Sequence, residues 1–167
     1  MSDTQGALFS LAQIQHLMRV EFNRAQRYSY PISAMLIAID RLGHLRDLYG
    51  YDAKEEILDG VVGLLKEQTR SSDFLGRMAD DRLLAVVPHT GEDGCKVLGD
   101  RLLRGARELQ FENEDRMLSV TLSLGASSEQ GGKGLFFDAM LEAAENALYD
   151  AQGAGGDRLL VVSTENG

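Results

Sequence analysis

The chain has one cysteine (Cys95), no tryptophan, two prolines, and only 17 Lys plus Arg against 26 Asp plus Glu. A single cysteine excludes an internal disulfide framework and fits a reducing compartment, so a cytoplasmic location is expected. Three histidines far apart in sequence (His16, His44, His89) and one cysteine cannot form a Cys/His metal site with ligand-like spacing. The deficit of basic residues gives a net charge of -9 and argues against broad binding to a nucleic-acid polymer, which relies on basic patches. A compact basic site remains compatible with that total. The longest near-continuous apolar run, Ile32 to Ile39, is far shorter than the roughly 20 residues a bilayer requires, so no membrane partner is expected. The opening Met-Ser-Asp-Thr-Gln-Gly is polar and acidic and shows no signal-peptide pattern. What is present is 167 residues, 44% hydrophobic and 26% charged, enough for one buried core. A single domain over 1–167 is expected, its core spanning about 11–162.

Apolar residues Leu11, Ile14, Met18, Phe22 and Ala25 recur at three- and four-residue spacing, which predicts a leading helix over 10–29 with Ser10 as its N-cap. Pro31 ends it, because the residue before a proline disfavours the helical region. Ile32 to Ile39 then reads as a strand covered on both faces. A helical turn is expected over 40–50, followed by a longer helix capped by Asp52 and ending near Arg70. Phe74 to Met78 and Leu83 to Val87 read as strands joined by the polar insert Ala79-Asp80-Asp81-Arg82. A helix over 94–109 and a charged connector over 111–116 follow. Leu118 to Leu124 alternates polar and apolar residues, predicting a strand with one wet side, and 127–134 reads as a loop. A helix over 136–152 and a strand over 158–162 close the chain. The fold class expected is α/β (α+β), with a mixed, mostly antiparallel five-stranded sheet flanked by helices.

Few residues offer chemistry. Asp80 and Asp81 at the hairpin tip, with Asp40 ending the first strand, form a candidate divalent-cation site; alternatively they are solvated turn carboxylates beside the cation of Arg82. Arg70 and Asp73 could hold a guanine or a phosphate, the guanidinium donating and the carboxylate accepting. The alternative is a surface ion pair worth less than about 1 kcal/mol. Arg-x-x-Asp occurs twice (Arg70/Asp73 and Arg77/Asp80), close to the frequency of about one that composition alone predicts, so spacing does not choose between these readings. Arg101, Arg104 and Arg107 form a basic stripe on an exposed helix face, either a binding surface or, the more common case, simply a solvated face. No phosphate-loop, dinucleotide-binding or nucleophile motif occurs.

Several stretches together resemble the GGDEF-type diguanylate cyclase domain of bacterial signalling, over nearly the whole chain. They are Arg24-Ala-Gln-Arg-Tyr-Ser-Tyr-Pro-Ile-Ser leading into the strand ending Ile39-Asp40, Leu48-Tyr-Gly-Tyr-Asp52, Arg70-Ser-Ser-Asp73-Phe-Leu-Gly-Arg77, Leu122-Ser-Leu-Gly-Ala126, and Glu142-Ala-Ala-Glu-Asn-Ala-Leu-Tyr149-Asp-Ala-Gln. The active family condenses two GTP molecules into cyclic di-GMP, with two magnesium ions held by carboxylates. Its signature hairpin, Gly-Gly-Asp/Glu-Glu-Phe, corresponds here to Ala79, Asp80, Asp81, Arg82 and Leu83. The resemblance further sets Ala38 at one metal carboxylate, Arg46 at a guanine-binding asparagine, Glu55 at its partner aspartate, Gln152 at a phosphate-binding lysine and Gly156 at the basic residue after it. These departures imply no catalytic residues, no bound metal, no cofactor and no enzyme activity.

The family's product-inhibition site reads differently. Its Arg-x-x-Asp ends five residues before the signature, as Asp73 does before Ala79, and its additional arginine corresponds to Arg101. The resemblance therefore implies cyclic di-GMP as ligand of Arg70, Asp73 and Arg101. It also implies a receptor signalling through an unidentified protein partner or a ligand-mediated homodimer. The other readings are a ligand-independent scaffold and a residual GTP binder or cyclase.

Overall fold

The computed structural model describes residues 8–130 and 137–163. In chain order the elements are β1 (Leu8–Phe9), α1 (Leu11–Tyr28), β2 (Ile32–Ile39), α2 (Leu42–Tyr49), α3 (Tyr51–Gln68), β3 (Phe74–Arg77), β4 (Leu83–Pro88), α4 (Glu92–Glu108), β5 (Phe111–Asn113), β6 (Arg116–Leu118), β7 (Leu122–Glu129), α5 (Phe137–Gly153) and β8 (Arg158–Ser163). Six strands form one sheet in the order β1-β3-β4-β2-β7-β8. The two outermost pairings, β1 with β3 and β7 with β8, are parallel, and the three inner ones are antiparallel. The expected mixed, mostly antiparallel sheet is thus present with six strands instead of five. The added strand, β1, has two residues, too few to show a period of two.

Every residue of β2 is buried. Because successive strand residues point to opposite faces, Met35, Ile37 and Ile39 join one core with α3 and α4. Ala34, Leu36 and Ala38 join a second core with α1 and α5. Two apolar layers sharing one strand explain why no polar residue but Ser33 interrupts it. Among the described residues no helix is long and apolar enough to cross a membrane.

Local signals placed most elements. Ser10 caps α1, and Gln13 returns the bond to the Ser10 N–H, closing a capping box. Asp52, expected as a cap, lies instead in the first turn of α3, whose N-cap position is Gly50 (φ 101°); a carboxylate there still complements the helix dipole. The connector over 111–116 is a small hairpin, β5 with β6, turning through Glu114 and Asp115 at φ 45° and 70°. Two successive positive φ values are those of the primed turn that suits strand twist, reached here without the usual glycine.

The largest correction concerns β7. It runs over 122–129 and is buried throughout, not half wet over 118–124. Ser127, Ser128 and Glu129, expected in a loop, belong to it, while residues 131–134 lie outside the described residues, as does Phe136. The serines mislead because each finds a partner inside. Ser123 Oγ donates to Asp40 (2.6 Å), Ser127 Oγ donates to the Met140 carbonyl (2.7 Å), and Ser128 Oγ bonds Ser33 Oγ (2.8 Å). A satisfied hydroxyl is small enough to sit in a core.

Candidate functional site

Three surface depressions take in the expected site residues, one at the β3–β4 hairpin, one beside Asp40 and one beside α4. The first, about 520 Å3, is walled by Ala38 and Ile39 of β2, Arg41, the hairpin residues Asp80, Asp81 and Arg82, and Glu145, Tyr149 and Gln152 of α5. The hairpin turns at Met78–Asp81, where the Asp81 N–H donates to the Met78 carbonyl (3.2 Å), and closes by the Met78 N–H bonding Arg82 O (2.8 Å). Asp81 takes the left-handed conformation, φ 67°, which aspartate tolerates better than most residues.

Its carboxylate is held on both sides. Lys54 Nζ bonds Oδ2 at 2.9 Å and Arg77 Nη2 bonds Oδ1 at 2.7 Å; each cation also reaches Glu55, at 2.9 and 3.4 Å. Lys54 is 7% exposed. Partial burial pushes the Asp81 carboxyl upward, but the bonds from Lys54 and Arg77 outweigh it and hold the group below its ordinary range. Lys54 lowers Glu55 in the same way, and the two carboxylates raise Lys54 and Arg77. This four-charge cluster was invisible in sequence because Lys54 and Asp81 lie 27 positions apart.

Asp40 does not join Asp80 and Asp81. It borders a separate depression of about 360 Å3 with His44. Its carboxylate accepts from Thr121 Oγ1 (2.7 Å), Ser123 Oγ (2.6 Å) and the Asp157 N–H (3.0 Å). Gly156 (φ 76°) packs so tightly over it that a Cβ would come within 2.8 Å of Oδ2. The magnesium ions of the active family would find few free side-chain ligands here: Ala38 has no side-chain oxygen, Asp81 bonds Lys54 and Arg77, and Asp40 accepts from three donors. No group of three His, Cys, Asp or Glu able to hold a metal exists among the described residues. Arg46 is exposed on α2, pairs with Asp47 and does not line the 520 Å3 depression, whereas Gln152 does.

The third depression, about 290 Å3, brings together Arg70, Asp73 and Arg101. The Asp73 side chain is nearly buried and accepts from the Arg70 backbone N–H (2.9 Å) and guanidinium (3.4 Å), which fastens the turn between α3 and β3. Arg101 comes from α4. Along its stripe, Arg104 pairs with Asp100 and Arg107 with Asp157, while Arg101 has no protein partner among the described residues. Thr90, which sequence reasoning did not single out, also lines this depression, its hydroxyl 2.7 Å from Arg70 Nη2. The arrangement offers two guanidinium groups and one carboxylate on a concave floor of Val87, Val97 and Leu98, a chemistry suited to a phosphate and a planar base.

Comparison with known proteins bears on the fold and the family. The family model "Diguanylate cyclase, GGDEF domain" matches residues 1–158. Diguanylate cyclase DgcP of Pseudomonas aeruginosa is 27% identical over 161 residues, covering 96% of this chain and 24% of that protein. Diguanylate cyclase A of Treponema denticola is 24% identical over 151 residues, covering 87% and 38%. The chain thus spans between a quarter and two-fifths of the length of these curated relatives. Among solved structures, the active GGEEF domain of a diguanylate cyclase from Vibrio cholerae superposes with TM-score 0.86 at 23% identity, covering 95% of this chain and all of that one. The GGDEF domain of DgcB from Caulobacter crescentus in complex with c-di-GMP gives TM-score 0.87 at 14% identity, covering 96% and 97%. Diguanylate cyclase SiaD in complex with its activator SiaC, from Pseudomonas aeruginosa, gives 0.87 at 22%, covering 96% and 61%. These findings overturn one expectation. The substitutions at the hairpin implied no enzyme, but the sequence relatives are named diguanylate cyclases and the family is enzymatic.

Proposed function

The chain belongs to the GGDEF-domain family of diguanylate cyclases, and on that premise we propose that it is a cyclic di-GMP signalling domain that binds this nucleotide through Arg70, Asp73 and Arg101. One observation carries the reading: Arg101 has no protein partner among the described residues, although its stripe neighbours are both paired, and it faces the same 290 Å3 depression as the Arg70–Asp73 pair. Two guanidinium groups against one carboxylate make this spot locally cationic in a chain of net charge -9. The surrounding acidity would repel a phosphodiester elsewhere, while the arginines supply charge-assisted bonds to phosphates and to the Hoogsteen edge of guanine. The complex of a DgcB GGDEF domain with c-di-GMP supports the same ligand class. Signal output then runs through contact with a protein partner or through a homodimer bridged by the ligand, and the SiaD–SiaC complex supports a protein contact of this kind.

Calorimetric titration of the chain with cyclic di-GMP tests this. Losing one charge-assisted contact costs about 1.5–3 kcal/mol, so Arg70→Ala and Arg101→Ala should each weaken binding by roughly 10- to 150-fold. Absence of binding by the wild-type chain in the micromolar range would refute the proposal. A second reading, favoured by the relatives' names, is GTP binding or turnover in the 520 Å3 depression bounded by Arg41 and Arg82. Incubation with GTP and magnesium, with products separated by chromatography, reads that activity directly.

A further inference from the structure

The guanidinium of Arg70 is held at one nitrogen only. Nη2 donates to the Pro88 carbonyl at 2.9 Å and to Thr90 Oγ1 at 2.7 Å, with Asp73 Oδ1 at a longer 3.4 Å. Its two hydrogens are thereby used, and the Nε hydrogen and both Nη1 hydrogens have no protein acceptor among the described residues. Arginine can only donate, so Thr90 Oγ1 must accept, and its own proton goes to the Pro88 carbonyl, 3.1 Å away. The threonine is itself fixed from three directions. Ser33, fully buried in β2, donates to the Thr90 carbonyl at 2.8 Å. The Thr90 methyl rests on Gly94 of α4 so closely that a Cβ at Gly94 would come within 2.8 Å of it. The preceding residue, His89, takes the left-handed conformation (φ 58°) and stacks its ring on Tyr30, with centroids 3.7 Å apart. The Tyr30 hydroxyl in turn donates to Glu21, buried in α1.

We propose that Thr90 is a positioning residue of the ligand site, setting the plane of Arg70 so that its three free N–H groups are presented to the nucleotide, and that His89 and Tyr30 connect this contact to α1. The inference rests on the cyclic di-GMP reading above. Arg70 is otherwise a long, half-exposed side chain, and binding would have to order it; Thr90 orders it beforehand. The hydroxyl is the functional part, because the methyl contact with Gly94 survives replacement by an isosteric side chain.

The experiment is cyclic di-GMP titration of the wild type, Thr90→Val and Thr90→Ser, with melting temperatures measured in parallel. Thr90→Val should bind about 10-fold more weakly, and Thr90→Ser should return to within about 3-fold of the wild type. Wild-type binding with unchanged affinity in Thr90→Val would overturn the positioning role while leaving the ligand reading intact; no wild-type binding would remove both. His89→Asn, which tolerates the positive φ but removes the ring from the stack, tests the connection to α1. It should weaken binding about 3-fold alone and have no further effect in the Thr90→Val background. Additive effects of the two substitutions would overturn the connection.

Discussion

Replacing Gly125 by alanine tests the packing that carries the wall of the larger depression. Gly125 lies in β7, paired with Leu36 on one side and Leu160 on the other, so the strand has no free edge toward which to retreat. A Cβ at this position would lie 2.1 Å from the Leu148 nitrogen, 2.5 Å from the Leu148 Cα and 2.5 Å from the Ala144 carbonyl oxygen. All three atoms are α5 backbone, and no rotamer change can relieve them. Restoring ordinary contact near 3.4 Å requires α5 to move off the sheet by about 1.3 Å. A gap of 0.5–1 Å already forfeits a quarter to a half of a dispersion contact, and Met140, Ala144 and Leu148 would all lose contact with the sheet. Overpacking ordinarily costs about 1–3 kcal/mol, and a clash with rigid backbone belongs at the upper end or beyond. For a domain of this size, about 3 kcal/mol corresponds to a fall of roughly 6–12 °C in Tm. Urea unfolding followed by far-ultraviolet circular dichroism, with thermal melts, measures it. Gly63→Ala is the control: Gly63 is inside α3, a Cβ there would meet nothing within 4 Å, and the substitution should add about 0.5–1 kcal/mol through helix propensity. A loss below about 1 kcal/mol for Gly125→Ala would refute the close approach of α5 to β7. The same displacement would carry Glu145, Tyr149 and Gln152 outward, so any ligand of the 520 Å3 depression should also bind Gly125→Ala more weakly.

Three further outcomes are expected. Asp81 is held below its ordinary value of 3.8 by Lys54 and Arg77, against the upward push of burial, so its stabilising contribution is complete above that value and is lost as the pH falls through the lowered one. The stability difference between wild type and Asp81→Asn should therefore be level from pH 7 to about 5 and shrink below about pH 4; a difference still constant near pH 2.5 would contradict the cluster. Burial pushes the Cys95 thiol up to about 11, so at pH 8 the folded chain should react with a disulfide reagent far more slowly than the chain in denaturant. Asp40→Ala leaves the Thr121 and Ser123 hydroxyls and the Asp157 N–H without their acceptor and should cost about 2–4 kcal/mol by urea midpoint; a cost under about 0.5 kcal/mol would show that these donors find other partners.

Much of this molecule is legible in its residues in order. The Ser10 cap, the stop at Pro31, the twice-covered strand Ile32–Ile39 and the hairpin around Asp80 and Asp81 all follow from spacing and turn chemistry, since helix and strand periods are properties of neighbouring residues. The resemblance also carries Arg70, Asp73 and Arg101 as a set, and their register along the chain agrees with their meeting at one depression. Three features depended on the tertiary structure. The serines of β7 look wet until Asp40, Met140 and Ser33 are seen to satisfy them. Arg101, Arg104 and Arg107 are alike in type along α4; Asp100 reaches Arg104 within the helix, but only the fold brings Asp157 to Arg107 and leaves Arg101 without a partner among the described residues. Lys54, an ordinary lysine in a helix by sequence, becomes the counter-charge of Asp81 because α3 and the hairpin meet. Periodicity is set within a few residues along the chain, whereas the partner of a charge or hydroxyl is set by which distant segments share the same poorly solvated space, and that is a property of the folded chain alone.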